Sequence, residues 1–247
     1  MKVLVTGGAG FIGCNLARAL ASLGHRVVVV DNLSRSGSER NLRALLERGS
    51  AAELVTFRSV DVRDGASMAA ILVEPGDPYD AVVHLAGQTT VTESVTDPVQ
   101  DFDVNAGGTL TVLEAVRAHA PAAHVLFAST NKVYGDLRSL RLERTATRYV
   151  LPEHPDGIAE SFPTNAASPY GCSKLGPEFA LSVWAEFGPL LEDLVGRPIP
   201  IVSKSGVWRI RMYSSAIIAS FLLPWAGSHD GRREMGLETW WNGWPAR

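Results

Sequence analysis

The first thirteen residues constrain the fold more than any other part of this 247-residue chain. An apolar, β-branched run over 2–6 is followed by Gly7, Gly10 and Gly13, in the spacing G-x-x-G-x-x-G, and then by a helical pattern. Gly7 permits a tight turn, Gly10 lets a phosphate approach the backbone, and Gly13 lets the helix pack closely on the strand. Because a helix N-terminus offers free N–H groups and the positive end of the helix dipole, this pattern predicts a site for a dinucleotide pyrophosphate.

A second strand that ends in an acid supports a dinucleotide site. The strand is predicted over 26–30 and is followed by Asp31. The spacing from Gly13 to Asp31 is close to the roughly 20 residues expected for a carboxylate that binds the ribose hydroxyls of adenosine. A carboxylate repels a 2′-phosphate, so Asp31 favours NAD over NADP, although the basic Arg35 follows in the loop. The alternative is a glycine turn in another kind of α/β domain.

The remaining apolar runs predict alternating helices and strands. Helices are predicted over 11–23, 38–48 and 98–119, and strands over 54–59, 81–85 and 124–128. This alternation predicts an α/β fold with a doubly wound parallel sheet, the Rossmann arrangement, with ligands bound beyond the C-terminal ends of the strands. A long polar stretch over 137–167 is expected to be a functional excursion.

Composition limits the classes of partner. The net charge of −3 gives no reason to expect nucleic acid or an anionic membrane as a partner. Two cysteines are too few for a disulfide framework and suggest a reducing compartment. Together with a structural strand that begins at residue 2, this indicates a cytoplasmic protein without a signal peptide. No metal site is expected.

Several residues at the predicted strand ends have two interpretations. Asp61 either contacts the adenine amine or caps a helix, whereas Asp64 is expected to be a helix cap. The small pair at 86–87 allows a second backbone approach to the pyrophosphate, and His84 is interpreted as a packed residue. Asn105, in the middle of a helix, either makes a specific hydrogen bond or is exposed.

Tyr170 and Lys174 form the predicted acid/base pair. They lie four residues apart and therefore share one face of a helix. An ammonium group favours the phenolate, so we expect Lys174 to lower the pKa of Tyr170. A hydroxyl from the fifth strand, Thr130 or Ser129, could share the proton with the same substrate oxygen. This set suits hydride transfer between a carbinol carbon and a nicotinamide, and the alternative is an incidental pair with an exposed lysine.

Taken together, these motifs resemble a known family. TGGAGFIG at 6–13, DNLSRSG at 31–37, DVRD at 61–64, HLAGQ at 84–88 and YGCSK at 170–174 are similar to the extended short-chain dehydrogenase/reductases, which include the NAD-dependent sugar-nucleotide epimerases and dehydratases. STNKVYGDL at 129–137, TRY at 147–149 and SPYGCSK at 168–174 resemble the CDP-paratose (CDP-tyvelose) 2-epimerases more closely. The resemblance covers about residues 1–188.

The resemblance implies bound NAD, a nucleotide-sugar substrate, oxidation at carbon 2 of the sugar to a keto intermediate, and return of the hydride to the other face. It implies dimers formed by helices near 98–119 and 169–187. The implied catalytic set is Thr130, Tyr170 and Lys174, with Lys174 also binding the nicotinamide ribose. The full set of expected cofactor-binding residues is Gly7, Gly10, Phe11, Ile12, Gly13, Asp31, Asn32, Asp61, Val62, Leu85, Ala86, Gly87, Gln88, Asn105, Tyr170 and Lys174.

The C-terminal part departs from the family pattern. We expect an NAD-binding domain over 1–188 and a shortened or divergent substrate region over 189–247, in which 196–199 (GRPI) resembles a later family segment. A small missing insert or a shifted reading frame would explain this, and a missing strand would leave apolar sheet surface exposed. Two alternatives therefore stay open: a 4-epimerase or 4,6-dehydratase, and an inactive NAD-binding protein. A dehydratase would place an acid beside the fifth-strand hydroxyl, where this chain has Asn131 and Lys132.

Overall fold

Six parallel strands form the central sheet. The strands are β1 Lys2–Thr6, β2 Arg26–Asp31, β3 Val55–Ser59, β4 Ala81–His84, β5 His124–Ala128 and β8 Val207–Ile210, in the spatial order β3-β2-β1-β4-β5-β8. The computed structural model describes residues 1–47, 50–73, 76–155, 157–159, 161–181 and 207–210, all within one unit, Met1–Met212. The strand order reverses between β1 and β4, so the ends of these two strands form the switch point where ligands bind in such sheets. The predicted doubly wound sheet is confirmed.

Helices cover the sheet and lie close to the predicted positions. They are α1 Phe11–Ser22, α2 Ser38–Leu46, α3 Gly65–Leu72, α4 Val91–Thr96, α5 Pro98–Phe102, α6 Gly108–His119 and α7, described over 169–181. Register pairs Leu4 with Val82 and Val82 with Val125, so these side chains point to the same face of the sheet. There they join side chains of α3, α6 and α7 in the main core: Met68, Leu72, Val112, Val116 and Leu181.

The predicted helix over 98–119 is interrupted by a π-helical turn. Asp103–Gly107 joins α5 to α6 with wider hydrogen-bonded turns, and within it the side chain of Asn105 is buried. A single inserted residue of this kind re-aims the side chains that follow, and such turns are frequent at functional sites. The expectation of one regular helix was therefore wrong in this turn, although the two ends of the segment were predicted correctly.

Two regions after β5 complete the description. The excursion over 137–167 contains a short antiparallel hairpin, β6 Glu143–Arg144 and β7 Tyr149–Val150. Strand β8 pairs in parallel with β5, so a strand does cover the β5 edge that a missing strand would have exposed. The 188–189 boundary, the 196–199 segment, the expected interface residues 182–187 and the rest of the C-terminal part lie outside the described residues.

Candidate active site

The glycine-rich loop packs closely against the start of α1 on one side and against the segment after β4 on the other. Gly7 has a left-handed φ of 66°, and a Cβ there would lie 2.6 Å from the backbone nitrogen of Ala86. A Cβ on Gly13 would collide with the Gly7 carbonyl oxygen and lie 2.6 Å from Gly8 Cα. A Cβ on Gly10, in contrast, would meet only the Gly7 carbonyl oxygen, at 3.1 Å. Gly7 and Gly13 are thus needed for packing, whereas Gly10 leaves its outer surface open to a ligand.

Helix α1 begins directly after Gly10 and has no side-chain cap. The first N–H groups of a helix have no partner within the helix, so they are available to an anion at this end. Phe11 is largely exposed in the first turn, and Ile12 is half-buried beside it. The geometry therefore fits the predicted pyrophosphate site at the start of α1.

Asp31 is bonded to the glycine-rich loop and keeps acceptor capacity. Its Oδ2 accepts from the Ala9 N–H at 3.0 Å, and its Oδ1 accepts from the Leu33 N–H at 2.8 Å. Each carboxylate oxygen can accept two hydrogen bonds, so one site on each oxygen remains for a ribose hydroxyl. The side chain of Asn41, which lies on α2, donates to the Ala9 carbonyl at 3.0 Å, so Ala9 is held by α2 as well as by Asp31. The sequence pattern of α2 gave no sign of this role for Asn41.

Asp61 is saturated with hydrogen bonds. It accepts from the Arg63 backbone, from Arg63 Nε and a terminal nitrogen of the same guanidinium, and from the Asn32 amide, at 2.8–3.0 Å. The Arg63 guanidinium holds the pKa of Asp61 well below its usual range. A direct contact with an adenine amine therefore requires one of these donors to leave. Val62 beside it is buried, and Asp64 caps α3 by accepting from the Ser67 N–H at 3.1 Å, as predicted.

The segment after β4 is fixed by Asn105. The Gln88 N–H donates to Asn105 Oδ1 at 2.9 Å, and a Cβ on Gly87 would lie 2.7 Å from the same oxygen. Leu85 and Ala86 are tied to the end of β1, because their N–H groups donate to the Thr6 carbonyl and hydroxyl. Of the two interpretations of Asn105, the specific hydrogen bond is therefore the one that the structure shows, and it explains the small residue at 87.

Thr130, Tyr170 and Lys174 meet at the ends of β4 and β5. Thr130 follows β5, and its hydroxyl faces Tyr170 on α7, where it acts to lower the pKa of the phenol. Lys174 is buried one turn further along α7, with its Nζ 4.5 Å from the centre of the Phe127 ring. That Nζ would also lie 3.5 Å from a Cβ on Gly87, so it borders the segment after β4. Of the two candidate hydroxyls, Thr130 faces Tyr170, whereas Ser129 donates to the buried Glu178.

The electrostatics of the pair differ from the sequence-based expectation. Burial raises the pKa of Tyr170, the hydrogen bond from Thr130 opposes this, and the carboxylate of Asp101 raises the pKa further. Burial lowers the pKa of Lys174 to about 8, against the carboxylates of Asp101 and Glu178. The expectation of a lowered pKa for Tyr170 was therefore wrong for this structure, because burial of the phenol and the carboxylate of Asp101 together outweigh the opposing effect of Thr130.

His84 is a packed residue, as predicted. Its two ring nitrogens are hydrogen-bonded to the hydroxyls of Thr6 at 2.6 Å and Thr109 at 3.0 Å, and its ring stacks on Phe127. Complete burial lowers its pKa to about 3, with a further lowering by Lys174. His84 is therefore neutral near pH 7 and ties β1 and β4 to α6.

Sequence reasoning missed a buried polar cluster under the site. Asp101, Ser173 and Glu178 are almost completely buried, and hydrogen bonds join the first two to Asn105. The signals were present in the spacing: Asp101 lies one helical turn before Asn105, and Ser173 lies next to Lys174. Neither residue type is diagnostic by itself.

Metal-ligand clusters and membrane-spanning helices are both absent from the residues that the structure describes. Within them, no group of three or more His, Cys, Asp or Glu side chains is placed to hold a metal ion. No helix in the same residues is long and apolar enough to span a bilayer.

Comparisons with known proteins identify the family. A family model described as GDP-mannose 4,6 dehydratase matches residues 4–188. The chain therefore belongs to this family of NAD-dependent epimerases and dehydratases.

Epimerases are among its relatives. It is 42% identical over 174 residues to CDP-paratose 2-epimerase of Salmonella typhi, covering 70% of this chain and 50% of that protein. It is also 42% identical over 136 residues to UDP-glucose 4-epimerase of Klebsiella pneumoniae, covering 55% of this chain and 94% of that protein. The UDP-glucose 4-epimerase of Thermus thermophilus, solved in complex with NAD, has a TM-score of 0.58 and 35% identity, over 75% of this chain and 51% of that chain. The chain thus spans about half the length of the Salmonella and Thermus proteins.

Proposed function

We propose that this chain binds NAD and acts as a sugar-nucleotide epimerase of the CDP-paratose 2-epimerase type. The observation that carries the proposal is the convergence of Thr130, Tyr170 and the buried Lys174 at the ends of β4 and β5. This arrangement lies next to a glycine-rich loop whose outer surface is open at Gly10. Family membership and the similarity to the Thermus enzyme, which was solved in complex with NAD, support the choice of cofactor.

The described residues fit the successive parts of NAD. The N–H groups at the start of α1 would bind the pyrophosphate, and Asp31 would accept the adenosine ribose hydroxyls. Asn32, Asp61 and Val62 would flank the adenine. Residues 85–88 and Asn105 would border the nicotinamide half, where Tyr170 and Lys174 would contact its ribose. When bound, NAD supplies an acceptor that takes a hydride from the sugar and returns it.

The proton chemistry is assigned to Tyr170. In the phenolate form, its oxygen would take the proton of the sugar hydroxyl as the C–H hydride leaves the same carbon, which leaves a ketone and a neutral phenol. The same phenol would return that proton when the hydride adds to the opposite face of the ketone. Thr130 would orient the sugar oxygen, and Lys174 would stabilise the anionic form of Tyr170 during the transfer.

A 4-epimerase is the second candidate, because UDP-glucose 4-epimerases are among the relatives. A 4,6-dehydratase is less well supported, since Asn131 and Lys132 follow Thr130 where an acid would be needed. An inactive NAD-binding protein is the remaining alternative. These alternatives differ in substrate and turnover, whereas all of them predict bound cofactor.

The test is an NAD assay followed by a turnover assay. The purified chain is denatured and the supernatant assayed for NAD, and the folded chain is then incubated with CDP-paratose or UDP-glucose. We expect near-stoichiometric NAD and epimerisation of the CDP-sugar. Tyr170→Phe should keep the NAD and lose about 100-fold or more in kcat, whereas the exposed Tyr149→Phe should match the wild type. Turnover of UDP-glucose alone would favour the 4-epimerase. NAD without any turnover would favour the inactive protein, and absence of NAD would contradict the proposal.

We also propose that two copies of the chain pair through α5, α6 and α7. Large apolar side chains are exposed on these helices: Val99, Phe102, Leu110 and Phe179. Val99 and Phe102 line a groove with Pro98, Ala106 and Gly107. A second copy would cover this apolar surface. Light scattering should show a dimer that Phe102→Glu dissociates and that Leu23→Glu, on the exposed end of α1, leaves intact; a monomeric wild type would contradict the proposal.

A further inference from the structure

The triangle of Asp101, Ser173 and Asn105 links three elements of the candidate site. Ser173 Oγ donates to Asp101 Oδ2 at 2.5 Å, and Asn105 Nδ2 donates to Asp101 Oδ1 at 3.2 Å and to Ser173 Oγ at 2.9 Å. Both oxygens of the Asp101 carboxylate are thus engaged, and Asp101 is 1% exposed. The triangle joins α5, the π-helical turn and α7 at one point.

The position of Ser173 brings this carboxylate close to the catalytic pair. Ser173 directly precedes Lys174, and its hydroxyl is also 3.0 Å from the Tyr170 carbonyl oxygen. The other corner, Asn105, has its Oδ1 beside Gly87, at the place that Lys174 Nζ also borders. Asp101 therefore lies behind the helix turn that carries both Tyr170 and Lys174.

A buried carboxylate is costly unless it has a charged partner or a function. Four titratable groups share this region: Asp101 from α5, Tyr170 and Glu178 from α7, and His84 from β4, all around Lys174. Burial raises the pKa of Asp101, and Lys174 opposes this; the carboxylate of Asp101 in turn acts to raise the pKa of Lys174 and that of Tyr170. Glu178 also acts to raise the pKa of Lys174, whereas His84 is neutral near pH 7.

We infer that Asp101 is a positioning residue of the candidate active site, whose buried carboxylate orients Ser173 and Asn105 and favours the protonated forms of Lys174 and Tyr170. An asparagine could not do the same, because its amide would direct N–H groups at a site that already receives donors from Ser173 and Asn105. The inference rests on the roles proposed for Tyr170 and Lys174. It goes beyond them in assigning the control of their charge to a residue of α5.

The test reads ionisation directly and does not depend on turnover. The purified chain is titrated from neutral to alkaline pH, and phenolate absorbance is followed in the near ultraviolet. The chain has five tyrosines, so the titration of Tyr170→Phe is subtracted to isolate Tyr170. In parallel, amine labelling at a series of pH values with mass spectrometry gives the titration of Lys174. We expect Asp101→Asn to shift both titrations to lower pH.

The matched control is Glu114→Gln, which removes one exposed carboxylate from α6 and should shift neither titration. Unchanged titrations in a folded Asp101→Asn chain would overturn the inference, as would shifts in opposite directions. If Asp101→Asn does not fold, the Asp101→Asn/Lys174→Met double variant decides. If the double variant folds, the unpaired charge of Lys174 caused the failure of Asp101→Asn, which would support the inference. If the double variant also fails to fold, the loss of hydrogen bonds alone caused the failure, which would overturn the inference. Failure of turnover in the wild type would contradict the proposed function and leave these titrations readable.

Discussion

Gly13→Ala separates the packing role of the glycine-rich loop from its binding role. An alanine Cβ at this position would collide with the Gly7 carbonyl oxygen and lie 2.6 Å from Gly8 Cα and 3.0 Å from the Gly7 carbonyl carbon. All three neighbours are backbone atoms, so no side-chain rotation can relieve the contact. Since carbon atoms pack at about 3.5 Å or more, the start of α1 would have to move away from the loop by about 1 Å.

The cost of this movement follows from the size of the overlap. Inserting a methyl group into a packed site costs about 1–3 kcal/mol, and contact with rigid backbone places Gly13→Ala near the upper end. For a domain of about 150–250 residues, each kcal/mol lowers Tm by about 2–4 °C. We therefore expect Tm to fall by about 6–12 °C and NAD binding to weaken, because the N-terminus of α1 is displaced.

Two other glycines provide the comparison. Gly10→Ala meets only the Gly7 carbonyl oxygen, at 3.1 Å, so it should change Tm little while it obstructs NAD. Gly176→Ala, within α7, places a Cβ with nothing within 4 Å apart from its chain neighbours and the backbone of α7 itself, and should stabilise the chain by about 0.5–1 kcal/mol. The assays are thermal unfolding without added ligand and calorimetric titration of cofactor-stripped protein with NAD. A Gly13→Ala chain with the Tm of the wild type, or a Gly10→Ala chain destabilised as much as Gly13→Ala, would refute the reasoning.

Two further predictions concern stability. The folded-state pKa of His84 is about 3 against an ordinary value of 6.5, so the unfolded chain binds the proton more readily between these values. The contribution of neutral His84 to the free energy of unfolding should be fully present above pH 6.5 and should fall as the pH is lowered, by about 2 kcal/mol between pH 7 and pH 5. In urea unfolding, His84→Asn should therefore lose less stability at acid pH than the wild type. An acid dependence equal to that of the wild type would contradict the assignment. Asp64→Ala should cost about 1 kcal/mol by removing the α3 cap, whereas Asp64→Asn, which keeps a capping oxygen, should be nearly neutral in the same assay. Equal losses in the two Asp64 variants would show that the cap is not the cause.

Residues whose roles depend on local backbone geometry were predictable from the sequence. The glycine spacing, the strand that ends at Asp31 and the capping position of Asp64 each depend on a few neighbouring residues, and the structure places all of them as predicted. The order of strands and helices followed for the same reason, because apolar periodicity reports which face of each element is buried. The packed role of His84 was also anticipated, and a specific hydrogen bond was one of the two interpretations of Asn105.

The ionisation of the site and its buried supports were decided only by the tertiary structure. The pKa of Tyr170 depends on how much water the fold removes from its phenol, and the sequence spacing to Lys174 carries no information about that. Asp61 was open to two interpretations until Arg63 and Asn32 were seen to fill its acceptor sites. Asp101 and Ser173 lie 72 residues apart in the chain and meet only because α5 and α7 pack together. Local sequence thus determined the elements and their glycine turns, whereas long-range packing set the dielectric environment and the partners of each charge.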